Sequence, residues 1–344
     1  MDDGKASREF FDAHLAGRTG ADRGDVRLGP TYGADFGVVD VADRVVALAT
    51  DPVFVLRELG LERAAWFAFH VAVSDVAMSG LPPAHLAVTL NLPPGTSDET
   101  FDAVWSVFDR EARELGASLT TGHTGTYEGC SFPTVGGATA LAVGDPDDLV
   151  VPTGARPGDR VVVTKGPAVE TTGLLGVLFG DDLPLDEAAA AAARERFWDA
   201  SPVRDALTAA AAGDVSAMHD ATERGLANAL HELAAASGVS LAVDRGAVPV
   251  ADGVRELCEY FGMDPWTASS EGTVVATVAP ADADAVVDAL AAEGIPAADA
   301  GRVAERGALG DGVRVTADGE PLPEPDADPL WPAYKTARER FGGD

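Results

Sequence analysis

Three aspartates stand where a carboxylate is expensive to keep. Asp35 follows Gly33-Ala34 and opens an apolar run. Asp51 ends the run Val45-Val46-Ala47-Leu48-Ala49-Thr50. Asp75 lies inside Val71-Ala72-Val73-Ser74-Asp75-Val76-Ala77-Met78. A carboxylate withdrawn from water costs several kcal/mol unless something meets its charge. Almost no Lys or Arg lies nearby in sequence. A magnesium ion bridging to phosphates would meet that demand, because Mg2+ takes a few carboxylates together with substrate oxygens. The competing reading is that Asp75 faces solvent or caps a turn, and that Asp51 caps the segment after it.

Two further stretches carry chemistry-bearing types. Thr121-Gly122-His123-Thr124-Gly125 follows a strand-like run, and Gly136-Gly137 comes soon after. Such loops bring bare backbone N–H groups close to phosphates, and they also serve as ordinary turns. Met218-His219-Asp220-Ala221-Thr222-Glu223-Arg224-Gly225-Leu226-Ala227-Asn228 reads as a loop feeding a helix. Thr222 is placed to cap that helix, and on pattern alone capping is the simpler account. A helix N-terminus beside Asp, Thr and Gly also makes a phosphate or substrate corner. No Walker A pattern is present, and no G-x-G-x-x-G opens a helix after a strand. No Ser-His-Asp or Cys-His arrangement stands out. His70, Cys258, Trp66, Phe67 and Phe69 read as core residues, and Cys130 falls in a loop.

The elements that must position these residues follow from periodicity. A helix is expected over Ser7–Ala16, strands over Phe36–Val41 and Arg44–Thr50 around a turn at Asp43, and a helix over Glu62–Ser79. A strand over His85–Asn91, a helix capped by Ser97, and strands over Ala117–Thr121 and Thr134–Val143 complete the first half. Turn-rich sequence near residue 150 marks a domain boundary. Beyond it come a strand at Arg160–Thr164 and helices at Leu185–Trp198, Asp205–Ala212, Gly225–Ser237 and Val254–Phe261. A strand at Thr273–Val278 and a helix at Ala281–Glu293 follow. This alternation is the signature of a layered α/β domain. Domains are therefore expected at 1–150 and 151–317, with a polar, Pro-rich tail over 318–344.

Composition excludes several classes. The chain has 344 residues and is 46% hydrophobic, so it can bury more than one core. Its formal net charge is -31, from 56 acids against 25 Lys and Arg. That balance excludes a nucleic-acid partner, which needs a basic footprint. Acids scattered among apolar runs suit concentrated salt and point to the cytosol of a halophile. Two cysteines give no metal-ligand spacing and no disulfide framework. No signal peptide and no membrane span are expected.

The order of these motifs resembles the superfamily of AIR synthase and the hydrogenase maturation factor HypE. Gly33-Ala34-Asp35-Phe36-Gly37-Val38-Val39 is similar to its Gly-Asp-Asp-Ala-Ala-Val opening, and Ala49-Thr50-Asp51 to its Thr-Thr-Asp strand end. Val73–Gly80 is similar to Val-Asn-Asp-Leu-Ala-Met-Met-Gly, and Thr121–Thr124 falls where relatives have Gly-Gly-Asp-Thr. Met218–Ser237 resembles Met-His-Asp-Pro-Thr-Arg-Gly-Gly-Leu-Ala, and Leu257–Ala276, with Ser270-Glu271-Gly272, resembles Cys-Glu…Asn-Glu-Gly. The resemblance spans roughly residues 29–301.

It implies an α/β (α+β) protein of two domains. The N-terminal sheet would complete a barrel across a homodimer, and a layered α/β domain would follow. It implies ATP in the N-terminal region, with Mg2+ held by Asp35, Asp51 and Asp75. Gly122, His123, Thr124, Gly136 and Gly137 would lie around the nucleotide, and Asp220 and Thr222 would be the catalytic residues on the acceptor side. Members use ATP to phosphorylate an oxygen, often an amide-type one. Two departures stand out: Ala34 replaces one of the paired acids, and His123 replaces the loop carboxylate. HypE also ends in a Pro-Arg-Ile-Cys tail, and the different ending here sets the expectation that HypE's own reaction is not this chain's. The expected function is ATP- and Mg2+-dependent phosphorylation of a small molecule. The alternatives are a catalytically reduced, dimeric nucleotide-binding or regulatory protein, and a HypE-like maturation partner acting on another chain's thiol.

Overall fold

Every second side chain from Val45 to Ala49 is buried, and that alternation is what makes the run Arg44–Phe54 a half-covered strand. A computed structural model describes residues 8–341. The first element is α1 (Arg8–His14), whose expected start at Ser7 lies outside the described residues. The chain divides into two units, one of residues 19–30 and 35–149, the other of residues 8–18, 31–34 and 150–341.

The first unit contains β1 (Val26–Leu28), β2 (Gly37–Val41), β3 (Arg44–Phe54), α2 (Leu61–Ala77), β4 (Pro83–Leu92), α3 (Asp98–Glu114), β5 (Ser118–Thr126) and β6 (Thr134–Gly144). Its six-stranded sheet runs β1-β2-β3-β6-β4-β5. Only β4 and β5 pair in parallel, as their connection through α3 requires. The sheet is open within one chain, with β1 and β5 at its edges. Ser97 caps α3 as expected, accepting the Thr100 N–H at 3.2 Å. Phe69 of α2 meets Phe108 of α3 edge to face, with ring centroids 5.5 Å apart. His70 is a core histidine, its Nε2 3.2 Å from Glu111 Oε2.

The second unit adds β7 (Arg160–Thr164), α4 (Val169–Phe179), α5 (Glu187–Glu195), α6 (Val203–Ala212), β8 (Val215–Asp220), α7 (Gly225–Ser237), β9 (Ser240–Val243), α8 (Val254–Phe261), β10 (Val274–Val278), α9 (Ala283–Ala292), β11 (Ala297–Ala304), β12 (Val315–Ala317), β13 (Glu320–Pro321) and α10 (Leu330–Phe341). Its seven-stranded sheet runs β13-β12-β9-β11-β7-β10-β8. Among the described residues, no helix is long and apolar enough to cross a membrane.

The structure departs from the sequence reading in four places. The Gly-rich stretch 121–125 is not a loop: it lies within β5, hydrogen-bonded to β4. Met218–Asp220 belongs to a fully buried strand, β8, and only the residues after it form a loop. Helix α4 escaped periodicity because most of its length is buried, leaving no polar stripe to read. The Pro-rich tail contains α10, which buries Leu330, Ala333 and Ala337 in a cluster with Leu175, Phe179 and Leu257.

Candidate functional site

In the first unit, strand register brings the expected nucleotide residues into one band. Asp51 on β3 pairs with Ala138 on β6, which pairs with Val88 on β4, which pairs with Gly122 on β5. The next row runs Pro52, Gly137, Thr89 and His123, and the third Val53, Gly136, Leu90 and Thr124. Strands lie about 4.8 Å apart, so the band is about 14 Å wide from β3 to β5.

Faces matter as much as rows. Asp51 shares its face with the buried Val45, Ala47, Ala49 and Val53, the face on which α2 packs. Asp75 stands half-buried on that helix. His123 is exposed and sits in the alternate row, so it projects from the opposite face to Asp51. Its Nε2 is 2.6 Å from the Tyr127 hydroxyl. Asp35, Asp51 and Asp75 do not bring three oxygens within 4.8 Å of one another. The glycines answer to packing. A Cβ on Gly122 would strike the Val88 carbonyl, and one on Gly136 the Thr89 carbonyl. Close strand approach therefore requires both residues.

In the second unit, β8 delivers His219 and Asp220 to its C-terminal end with almost no exposure. His219 Nδ1 lies 2.6 Å from the Asp220 carbonyl, and its Nε2 lies 3.4 Å from Glu232 Oε2 on α7. The turn that follows needs left-handed backbone at Arg224 (φ 63) and Gly225 (φ 64). A Cβ on Gly225 would also meet the Ala268 carbonyl. Thr222 does not cap α7 with its side chain: Arg224 occupies the N-cap, and the Thr222 carbonyl accepts the Gly225 N–H at 3.0 Å. Its place beside Asp220 is set by the Ser270 N–H, which reaches the Ala221 and Thr222 carbonyls at 3.1 and 3.3 Å.

Residues that the motifs did not single out complete this corner. Glu170 Oε2 accepts the Ser269 hydroxyl at 2.6 Å and the Glu271 N–H at 3.0 Å. Burial pushes its carboxyl up to about 7, and the Asp328 and Glu223 charges act in the same direction. Asp328 accepts the N–H groups of Arg224 at 2.6 Å and Leu330 at 2.8 Å, which ties α10 to the turn. Lys165, at φ 56, donates to the carbonyls of Asp199, Ser201 and Gly272 and pairs with buried Asp205 at 3.0 Å. Its scarcity as one of three lysines was the only sequence signal for it. Cys258 is buried, and desolvation pushes its thiol up to about 12, so it is no nucleophile.

Residues 33–155 match the AIR synthase related protein N-terminal domain, and residues 156–313 match the C-terminal domain of the same family. The chain belongs to the AIR synthase related family. It is 31% identical over 228 residues to the carbamoyl dehydratase HypE of Cupriavidus necator, which covers 64% of this chain and 61% of that protein. It is 37% identical over 203 residues to the thiamine-monophosphate kinase of Halobacterium salinarum, across 56% of this chain and 61% of that one. The matched stretches thus span about three fifths of the curated relatives' length. Among solved structures, HypE in complex with ATP superposes with a TM-score of 0.68 at 23% identity, covering 95% of this chain and 97% of that one. AaThiL complexed with AMPPCP and TMP gives 0.67 at 22% identity, covering 87% and 91%. These two likenesses establish the two-domain AIR synthase fold.

Proposed function

We propose that this AIR synthase related protein uses ATP and Mg2+ to phosphorylate an oxygen, of amide type, on a small-molecule acceptor. The observation that carries the reading is the band across β3, β6, β4 and β5, which holds Asp51 and the Gly122–Thr124 and Gly136–Gly137 segments in register. The all-oxygen set of Asp51 and Asp75 suits Mg2+, which keeps waters and phosphate oxygens as its remaining ligands. Asp35 is the third carboxylate of the set. When bound, the ion neutralises charge that develops on the phosphoryl group. The protein's own part is positional. Asp51 and Asp75 would hold that ion and so help to orient the nucleotide. Asp220, fixed at the end of a buried strand, and Thr222 beside it are the residues assigned to the acceptor.

The experiment is Mg-ATP binding by calorimetry, with turnover measured on metabolite pools. Asp51→Asn is expected to weaken Mg-ATP binding about tenfold or more, by the loss of one charge-assisted ligand. Unchanged binding would remove Asp51 from the site, and no nucleotide binding by the wild type would sink the reading. A second reading is a HypE-like role on a thiol carried by a partner chain. The several curated relatives named carbamoyl dehydratase HypE favour it. We also place a homodimer contact at the exposed edge strand β5.

A further inference from the structure

We propose that the second unit carries a separate site for a small phosphate-bearing anion, in the cleft between the C-terminal end of α7, α1 and the loop that precedes β12. The cleft has a volume of about 260 Å3 and is lined by Arg8, Arg306 and Arg314, which come from three separate segments. Among the described residues, no acidic one lines it. This is a marked local inversion in a chain with 56 acids and only 25 basic residues among 344. Three of the eleven described lining residues are basic, where the whole sequence has about one in fourteen.

The guanidinium groups hold donors in reserve. Among the described residues, Arg306 makes no hydrogen bond or ion pair through its side chain. Arg8 sits 3.7 Å from Asp12 and 5.5 Å over the Tyr32 ring. Arg314 reaches Glu324 only at 3.5 Å. Each guanidinium has five N–H donors in a fork that fits phosphate, so these contacts leave most of them unspent. The end of α7 does not oppose an anion with bare carbonyls. The Val239 and Gly238 N–H groups cover the Ala234 and Ala235 oxygens at 3.0 and 3.3 Å. The overall charge repels anions at long range, so retention must come from these short contacts. At about 30 Å3 per water, the cleft has room for a phosphate and a few more heavy atoms, and not for a nucleoside triphosphate.

Equilibrium dialysis with labelled inorganic phosphate, and in parallel with labelled glycerol phosphate, tests this on the full chain at fixed ionic strength. Saturable uptake of one equivalent is expected. Arg306→Ala and Arg314→Ala should each weaken it about ten- to a hundredfold, as the loss of a charge-assisted pair predicts. Arg306→Lys should recover part of the loss. Thermal melts without phosphate should match the wild type, because the Arg306 side chain is exposed. Asp51→Asn should leave this uptake intact, which separates the cleft from the nucleotide site. Tighter uptake of the ester would identify a phosphorylated metabolite as the ligand, and equal uptake free phosphate. Absence of saturable uptake overturns the proposal, as does uptake that survives both alanine variants.

Discussion

A buried carboxyl and a half-buried one show how neighbours decide a charge. Glu111 and Glu170 both lose water on folding, which by itself raises a carboxyl. For Glu111 the hydrogen bonds from His70 and Arg110 outweigh burial, and its carboxyl sits below the ordinary range. Among the described residues, Glu170 meets no cation. The Ser269 hydroxyl and Glu271 N–H help its ionised form, yet burial and the nearby acids lift it from 4.5 to about 7. The folded state thus holds a proton that the unfolded chain releases near 4.5. Stability from this group is fully present below about 4.5 and is lost as pH rises through about 7. Glu170→Gln should therefore flatten the fall in denaturation midpoint between pH 5 and pH 8, being near neutral at the lower value and stabilising at the higher. Urea midpoints at the two values check this, and parallel slopes for wild type and variant would contradict it.

At the scale of elements, β6 shows what fixes the band that holds Asp51. Gly136 lies against the Thr89 carbonyl, so Gly136→Ala must push β4 and β6 apart. The expected cost is about 1–3 kcal/mol, by overpacking. Gly24→Ala, with open space around it, should stay within about 0.5 kcal/mol. Thermal unfolding of the two variants makes the comparison, and equal losses would show that space at Gly136 is not limiting. Elements with punctuation were legible in the sequence. Helices α7 and α8 end at Gly238 and Gly262, both left-handed caps, and their bounds agree with those read from periodicity. The aspartates of the candidate site were legible as costly carboxylates, but their faces were not. Residues 121–125 read as a loop because glycine usually breaks a strand, whereas Gly122 there admits the Val88 carbonyl. Which face His123 takes depends on pairing with Thr89, a long-range register that composition does not encode. Glu170 was invisible for a related reason, since its partners Ser269 and Glu271 are about a hundred residues away.

For the whole molecule, the net charge of -31 is the dominant long-range term. Ion pairs such as Arg113–Asp109 and Arg204–Glu293 are exposed and offset little of the repulsion. Repulsion among exposed charges is screened over about 10 Å at 0.1 M salt and about 3 Å at 1 M. The melting temperature should therefore climb steadily from low salt into molar KCl. A calorimetric series checks it, and a flat series would mean that the acids are spaced too widely to repel. The family fold was readable at this scale because the resemblance runs in order across roughly 270 residues, from Gly29 to Gly301.

The chain's threading has a consequence for its synthesis. Residues 31–34 lie between β1 and β2 in sequence, yet they belong to the unit built mainly from the C-terminal half. Gly33 packs on the Glu232 backbone, and the Tyr32 hydroxyl answers to Glu232 and Arg224. A ribosome makes that short segment about 200 residues before its seat on α7 exists. At roughly 5–20 residues per second the wait is on the order of ten to forty seconds. Through that interval the nascent protein carries a docked-to-be segment with nothing to dock on, and the unit cannot close until the residues through α10 have been made.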